Sequence, residues 1–364
     1  MTADNRIRIV TMPKWGMTMT EGKVSAWLKE PGDPVEPGEE LLEVETEKIA
    51  NAVEAQESGV LRRILVQPGQ TAPCGAPLAL IAEADVTEAE LDAVAEGAES
   101  AVAEGGGLST ARVDAGGLSL RVTSAGGGEG APLILLHGFG SDAGAWMFVQ
   151  EALAQGRAVH AIDLPSHGDS DVDAGVATLE ALAERVGAAV DALTDGPLHL
   201  AGHSLGGRIA LRLAARRGKR VRSLTLIAPA GMGGGPVSRD FVDGFLRADK
   251  RRPMKEALRL LVADEGAVTS EMVERALAAK RIDGAQEALE AIAAACLGDN
   301  APEGVAEDRA AISAPVLVLW GAEDRVIAPP AEGAEVLEGV GHLPQMEAAS
   351  RIAARMARHL EGAE

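Results

Sequence analysis

Basic residues are scarce in this chain. Its 364 residues include 34 Lys and Arg against 55 Asp and Glu, for a net charge of −21. That balance argues against nucleic acid or an anionic membrane as a partner, and any polyanionic ligand would need a local basic patch. Cysteine is nearly absent. Cys74 and Cys296 lie in different halves of the chain and build no disulfide framework, so a reducing compartment is expected. Met1 to Arg8 contain no apolar core of a signal peptide. No apolar run approaches the roughly 18 residues needed to span a bilayer. The expectation is a cytoplasmic protein with no membrane partner. No two of the seven histidines have metal-ligand spacing, so no metal site is expected.

Hydrophobic residues make up 46% of the chain and charged residues 24%, an ordinary globular balance at a length that suits two domains. A composition break separates them. Residues 82–107 hold eight acidic side chains, no Lys or Arg, no aromatics and a closing triple glycine. Self-repulsion and low apolar content predict an extended linker with at most transient helix. The expected organisation is a domain over 1–81, a flexible acidic linker over 82–110 and a domain over 111–364.

The first domain repeats itself at an offset of 37. Gly22 matches Gly59, Leu28 matches Leu65, Pro31-Gly32 matches Pro68-Gly69, Gly38 matches Gly75, Leu41 matches Leu78 and Val44 matches Ile81. Two such halves predict an all-β sandwich whose core neither half could build alone. The symmetry puts Lys48, in Glu45-Thr-Glu-Lys-Ile49, near the tip of the hairpin joining the halves. Met12-Pro-Lys-Trp-Gly-Met-Thr-Met-Thr-Glu-Gly22, Glu45–Ile49 and Gly59 together resemble the lipoyl domains of 2-oxo acid dehydrogenase complexes, over residues 6–82. The resemblance implies lipoate in amide linkage at Lys48. Biotin carriers have methionines flanking that lysine, and here the neighbours are Glu47 and Ile49.

From about Arg112, apolar runs alternate with Ala-rich helical stretches: Leu133–Leu136, Ala158–Ile162, Leu198–Ala201, Leu224–Ile227 and Val316–Trp320. That alternation predicts a parallel α/β sheet covered on both faces. The third run enters Gly202-His203-Ser204-Leu205-Gly206, followed by helical sequence. In this strand–turn–helix setting the pentapeptide is a nucleophile elbow, and Ser204 is the candidate nucleophile. Residues 112–364 resemble the α/β-hydrolase family, in which the order is serine, acid, histidine. The resemblance implies His342 as base and Asp324 as orienting acid, with Glu323 the nearest rival. Backbone N–H groups of Leu205 and Phe139 would form the oxyanion hole. One departure is Ser166, where the family often has glycine, so that loop is expected to differ in shape. Residues 232–309 read as a helical cap. Within it, Lys250, Arg251 and Arg252 could meet the phosphates of a nucleotide-like cofactor, as could the run Arg216–Arg222. His137, His167 and His203 read as loop residues satisfying backbone groups, His160 and His199 as core, and His359 as surface.

A lipoyl arm carries an acyl thioester, and a serine acyltransferase could pass that acyl group to coenzyme A. The chain has no His-x-x-x-Asp-Gly motif, which marks the usual acyltransferase of 2-oxo acid complexes, and no peripheral-subunit-binding segment. The pairing of lipoyl and hydrolase domains resembles the dihydrolipoamide acetyltransferase components of bacterial acetoin-cleaving systems. That resemblance implies acetyl as the acyl group. It also implies two partners, a thiamine-diphosphate-dependent acetoin dehydrogenase component and a dihydrolipoamide dehydrogenase. A homo-oligomer is compatible with it. Two rival readings are a lipoyl-bearing serine hydrolase and a lipoyl carrier scaffold without catalysis.

Overall fold

A computed structural model describes residues 6–13, 21–45, 50–55, 57–103, 108–298 and 303–363. The chain divides into two compact units, Met1–Leu108 and Ser109–Glu364.

The first unit contains β1 (Ile7–Thr11), β2 (Glu21–Trp27), β3 (Pro34–Val35), β4 (Glu40–Glu45), β5 (Ala50–Glu54), β6 (Gly59–Ile64), β7 (Thr71–Pro73) and β8 (Pro77–Ala82). They form two four-stranded sheets, ordered β1-β8-β6-β3 and β5-β4-β2-β7. The 37-residue offset carries β2 onto β6, β3 onto β7 and β4 onto β8. β3 pairs with β6 and β7 with β2, so each half gives its short strand to the other half's sheet. This exchange is why neither half closes alone. The repeat-related turn glycines share a left-handed backbone: φ is 105° at Gly32 and 86° at Gly69, 87° at Gly38 and 84° at Gly75. A side chain would strain each of these turns. Val24, Leu41, Leu42, Val44, Leu61 and Leu78 fill the space between the sheets.

The acidic stretch differs from the extended linker expected over 82–110. Glu88–Ala103 form α1. Thr87 and Glu90 make a capping box: the Glu90 carboxylate accepts the Thr87 N–H at 2.8 Å, and the Thr87 hydroxyl accepts the Glu90 N–H at 3.4 Å. The first turns dock on the β-sandwich through Val86, Leu91 and Ala95 against Leu80 and Ala82. The missing counter-charges come from the β-sandwich domain. Arg63 bonds Glu88 at 2.6 Å and Asp92 at 2.5 Å, and Arg6 bonds Glu90 at 2.8 Å. Self-repulsion within the stretch is thus offset by arginines distant in sequence.

The second unit is built on an eight-stranded sheet. Its strands are β9 (Ser109–Asp114), β10 (Ser119–Gly126), β11 (Gly130–Leu136), β12 (Arg157–Ile162), β13 (Leu198–His203), β14 (Val221–Ile227), β15 (Val316–Gly321) and β16 (Glu335–Leu337). The order is β16-β15-β14-β13-β11-β12-β10-β9. β12 through β16 lie parallel, and β10 and β9 add an antiparallel edge. Successive residues of the central strands face opposite layers. Ile134 and Leu136 join one core, with α3 (Leu179–Leu193), α4 (Leu205–Arg217) and the cap; Leu133 and Leu135 join the other, with α2 (Met147–Gln150) and α11 (Ala349–Glu361). Between β14 and β15 lie the helices α5 (Arg239–Arg247), α6 (Arg251–Leu258), α7 (Ser270–Lys280), α8 (Ala285–Cys296) and α9 (Val305–Ala311). A short α10 (Pro344–Glu347) precedes α11. No described helix is long and apolar enough to cross a membrane.

Ser166 adopts the left-handed conformation that glycine favours, with φ 63°. Its hydroxyl accepts the Asp173 N–H at 3.0 Å, which helps to hold a conformation costly for a residue with a Cβ.

Candidate active site

β13 ends at His203, and α4 begins at Leu205. Ser204 makes the whole turn between them at φ 52°, ψ −116°. Three backbone bonds hold it there: its N–H donates to Ile227 O at 2.9 Å, and its carbonyl accepts from Arg208 N at 3.1 Å and Ala230 N at 3.0 Å. The flanking glycines are required by contact. A Cβ on Gly202 would collide with the Gly206 carbonyl, and one on Gly206 with the Leu136 and His137 carbonyls. Strand and helix therefore approach closely and push Ser204 to the top of the sheet.

The loop after β11 lies directly against the nucleophile. A Cβ on Gly138 would sit 3.1 Å from Ser204 Cβ. The next residue is Phe139, whose N–H is the second oxyanion candidate beside that of Leu205. The loop is stiffened by His137, which donates from Nδ1 to Gly138 O at 2.8 Å and accepts the Leu164 N–H at Nε2, 2.9 Å away. Burial pushes the His137 pKa down to about 4, so it stays neutral in this role. The Phe139 ring packs edge-on against His167 and against Phe245 of α5. Arg275 of α7 bonds Asp142 at 2.5 Å, tying the cap to the same loop.

Asp324 follows β15 and turns back toward the β16–α10 loop. Its Oδ1 accepts the Val326 and Ile327 N–H groups, each at 2.8 Å. Its Oδ2 accepts the Trp320 indole N–H at 3.0 Å and the His342 Nδ1–H at 2.7 Å. Its side chain is wholly buried. Four donors thus fix the carboxylate, and His342 is left with Nε2 as its free ring nitrogen. Glu323 points elsewhere, accepting Gly339 N at 3.1 Å and Val340 N at 2.8 Å. It braces the loop that leads to the histidine.

The backbone of His342 is pinned on both sides. Its N–H donates to Leu261 O at 2.8 Å, and its carbonyl accepts His203 Nε2–H at 2.7 Å. His203 and His342 rings lie 4.8 Å apart, so the residue before the nucleophile touches the base. Burial first, and the His342 charge second, hold the His203 pKa well below its ordinary value. Glu347 accepts the N–H groups of Gly341, Leu343 and Ala263 at 3.1, 3.1 and 2.7 Å. Among the described residues no hydrogen bond joins Ser204 Oγ to His342, and such bonds are often long in a ligand-free site.

The basic candidates of the cap lie at α6. Lys250 caps α6 through its backbone, while Arg251 and Arg252 pair with Glu274 and Glu256. β4 and β5 pair up to Glu45 and Ala50. Lys48, the lipoyl candidate, falls between them, outside the described residues.

Comparison with known proteins fits this geometry. Residues 133–355 match the alpha/beta hydrolase family, and residues 8–81 match the family described as biotin-requiring enzymes. The dihydrolipoyllysine-residue acetyltransferase component of the acetoin cleaving system of Pseudomonas putida is 42% identical, over 97% of this chain and 98% of its own. The Cupriavidus necator component of the same description is 37% identical, over 97% of both chains. The chain belongs to this acetyltransferase family. Its fold is also that of a putative lipase from Acinetobacter baumannii, with TM-score 0.61 and 24% identity over 71% of this chain and 92% of that one.

Within this family membership, the Ser204, Asp324 and His342 positions named from sequence come from three distant loops brought to one end of the sheet. Reasoning from sequence missed the roles of Trp320, Glu347 and Arg275, whereas His203 satisfies a backbone carbonyl as expected. Trp320 bonds Asp324 four residues on, and Glu347 bonds Leu343 and Gly341 close before it; only its bond to Ala263, 84 residues away, joins distant segments.

Proposed function

We propose that the chain transfers an acetyl group from lipoyl-Lys48 to coenzyme A through an acyl-Ser204 intermediate, as part of acetoin breakdown. What carries this reading is the joining, in one chain, of a lipoyl-type domain to a hydrolase domain whose His342–Asp324 pair is assembled beside an elbow serine. Lipoate bound at Lys48 would supply a thiol that holds acetyl as a thioester. A lysine between paired β4 and β5, at the junction of the two halves, suits that attachment.

Ser204 attacks the thioester carbonyl while His342 Nε2 takes its proton. Leu205 and Phe139 N–H groups stabilise the oxyanion. Asp324 keeps the Nδ1–H tautomer and offsets the imidazolium charge. His342 returns the proton to the departing thiolate, then accepts a proton from the coenzyme A thiol, whose sulfur attacks the acetyl-serine; His342 hands that proton to the departing Ser204 Oγ, which restores the free serine. A thiamine-diphosphate-dependent component would load the arm, and a dihydrolipoamide dehydrogenase would reoxidise it.

The test is mass analysis of the intact protein after loading with acetoin and its thiamine-dependent partner. Wild type should show acetyl turning over to acetyl-coenzyme A. Ser204→Ala should keep acetyl on the Lys48 peptide and release none to coenzyme A. Release of free acetate at the same rate with and without coenzyme A would establish a hydrolase instead.

A further inference from the structure

A cavity of about 380 Å³ lies on the cap between α6 and α7. Arg251, Arg252 and Lys255 of α6 line it, with Arg259 just beyond that helix and Ser270 at the first turn of α7. Glu256 and Glu274 are its two acids, so four cations face two carboxylates. In a chain of net charge −21 this local excess runs against the composition.

Arg251, Lys255 and Arg259 recur every four residues, so they share one helical face. Their existing partners hold them loosely. Arg251 and Arg252 make exposed pairs with Glu274 and Glu256, of the kind that contributes little. Lys255 has no ion pair among the described residues. Arg259 Nε is buried without a hydrogen-bond partner, its nearest carboxylate oxygen being Glu265 Oε2 at 3.5 Å. Ser270, in the first turn of α7, lines the same wall. These are the donors a phosphate needs, and the acids present satisfy only part of them.

The cavity is also joined to the catalytic centre. α6 runs on through the turn Arg259–Leu261, and Leu261 O accepts the His342 N–H. Arg325, next to Asp324, donates to Arg259 O at 2.6 Å and Val262 O at 2.8 Å. At 1.5 Å per residue, the path from Arg251 to Leu261 is about 15 Å. That path ends at the carbonyl that holds the backbone of His342, so a ligand held at the cavity lies on the element that positions the base.

We propose that this cavity binds the phosphate-bearing end of the acyl acceptor, leaving its thiol arm to reach Ser204. The proposal rests on the transferase reading above and adds the acceptor's anchor. It also shifts the sequence expectation along the helix: Arg251 and Arg252 belong to the cavity, Lys250 does not line it, and Lys255 and Arg259 join it.

The experiment compares coenzyme A with pantetheine, a thiol lacking the phosphates, as acceptor from the acetyl-loaded full-length protein. Lys255→Glu and Arg259→Ala should each shrink the KM advantage of coenzyme A over pantetheine by about tenfold, the size of one lost charge-assisted bond. Arg351→Glu, a charge change at an exposed position of α11 outside the cavity, should leave that ratio alone. A misfolded variant would lower kcat with both thiols without moving the ratio, and circular dichroism would identify it. Calorimetry with adenosine 3′,5′-bisphosphate tests the anchor without any transfer: wild type should bind it, and Lys255→Glu and Arg259→Ala should weaken it by the same factor. An unchanged ratio in both folded variants, or calorimetric binding indifferent to Lys255 and Arg259, would overturn the proposal. If neither thiol is acetylated but the bisphosphate still binds through these residues, the transferase reading fails and the anion site stands.

Discussion

The two units of this chain treat polar side chains in opposite ways. Among the described residues of the first, no polar or charged side chain is buried; the second buries nineteen. All seven histidines also fall in the second unit. The first unit keeps its charges at the surface, where Arg6 and Arg63 pair with the acids of α1, and fills its core with aliphatic residues from two copies of one pattern. The second takes Asp163, His137, Arg208, Asp324 and His342 out of water and supplies each with fixed partners. The contrast follows from the work each is proposed to do. A carrier needs a stable shell and one modifiable lysine. A catalyst needs charge held in place before the reaction begins.

The most severe way to break this contrast is to remove charge from the buried centre. Asp324→Asn preserves shape but replaces an acceptor by a group that can present N–H to His342. Turnover should fall by about 10⁴-fold, measured as acetyl-coenzyme A formation in a single-turnover assay. Glu323→Gln loosens only the loop at Gly339 and Val340, and its loss should be near tenfold. The reverse ranking would move the acid to Glu323. Lys48→Arg should block loading of the arm and leave Ser204 reactive to a fluorophosphonate probe.

How much of this was legible in the sequence follows the same division. The first unit's sandwich could be read because its two halves state the pattern twice, down to Gly32 and Gly69. The elbow could be read because Gly202 and Gly206 are forced by local contact. Asp324 and His342 needed chain order from a family resemblance, since 18 residues separate them and their bond crosses between two loops. Arg275 with Asp142, 133 residues apart, left no sequence signal. The acidic stretch was misread because its composition was weighed alone, while Arg6, Arg62 and Arg63 lay outside it. The Thr87-x-x-Glu90 capping box was the local sign of α1.

Acid should separate the units next. Burial pushes His137 down to about 4 and His167 to about 3, from an ordinary value of 6.5. Between those values the unfolded chain takes up protons that the folded unit refuses, so stability falls as pH drops below 6.5. At pH 5 each histidine should cost about 2 kcal/mol. The first unit has no histidine, and its shifted carboxylates, Glu39 and Glu90, have pKa values below the ordinary 4.5. Their contribution is present above 4.5 and lost only as pH falls beyond that. Calorimetric scans from pH 7 to 5 should therefore show one transition moving down and one nearly fixed. Transitions that move together would mean that the units share a stabilising interface.

The smallest effects concern the docking of α1, and they ask whether the first unit depends on apolar contact or on charge. Leu91 is fully buried against Leu80 and Ala82. Leu91→Ala should cost about 2–3 kcal/mol of docking, because removed methyl groups leave a cavity under a helix. Arg63 is more than a quarter exposed, and its partners Glu88 and Asp92 more than half. Pairs this wet contribute about 0.2–1 kcal/mol each and weaken with salt. Arg63→Ala should thus raise amide exchange in the first turns of α1 only a few-fold, and less at high salt, while Leu91→Ala should raise it by tens-fold at any salt. The ranking matters for delivery of Lys48. The docked first turns of α1 assign Glu88–Ala103, about 24 Å of helix, to the first unit. If Arg63→Ala releases α1 as fully as Leu91→Ala does, charge rather than burial sets where the arm begins. Salt would then lengthen it.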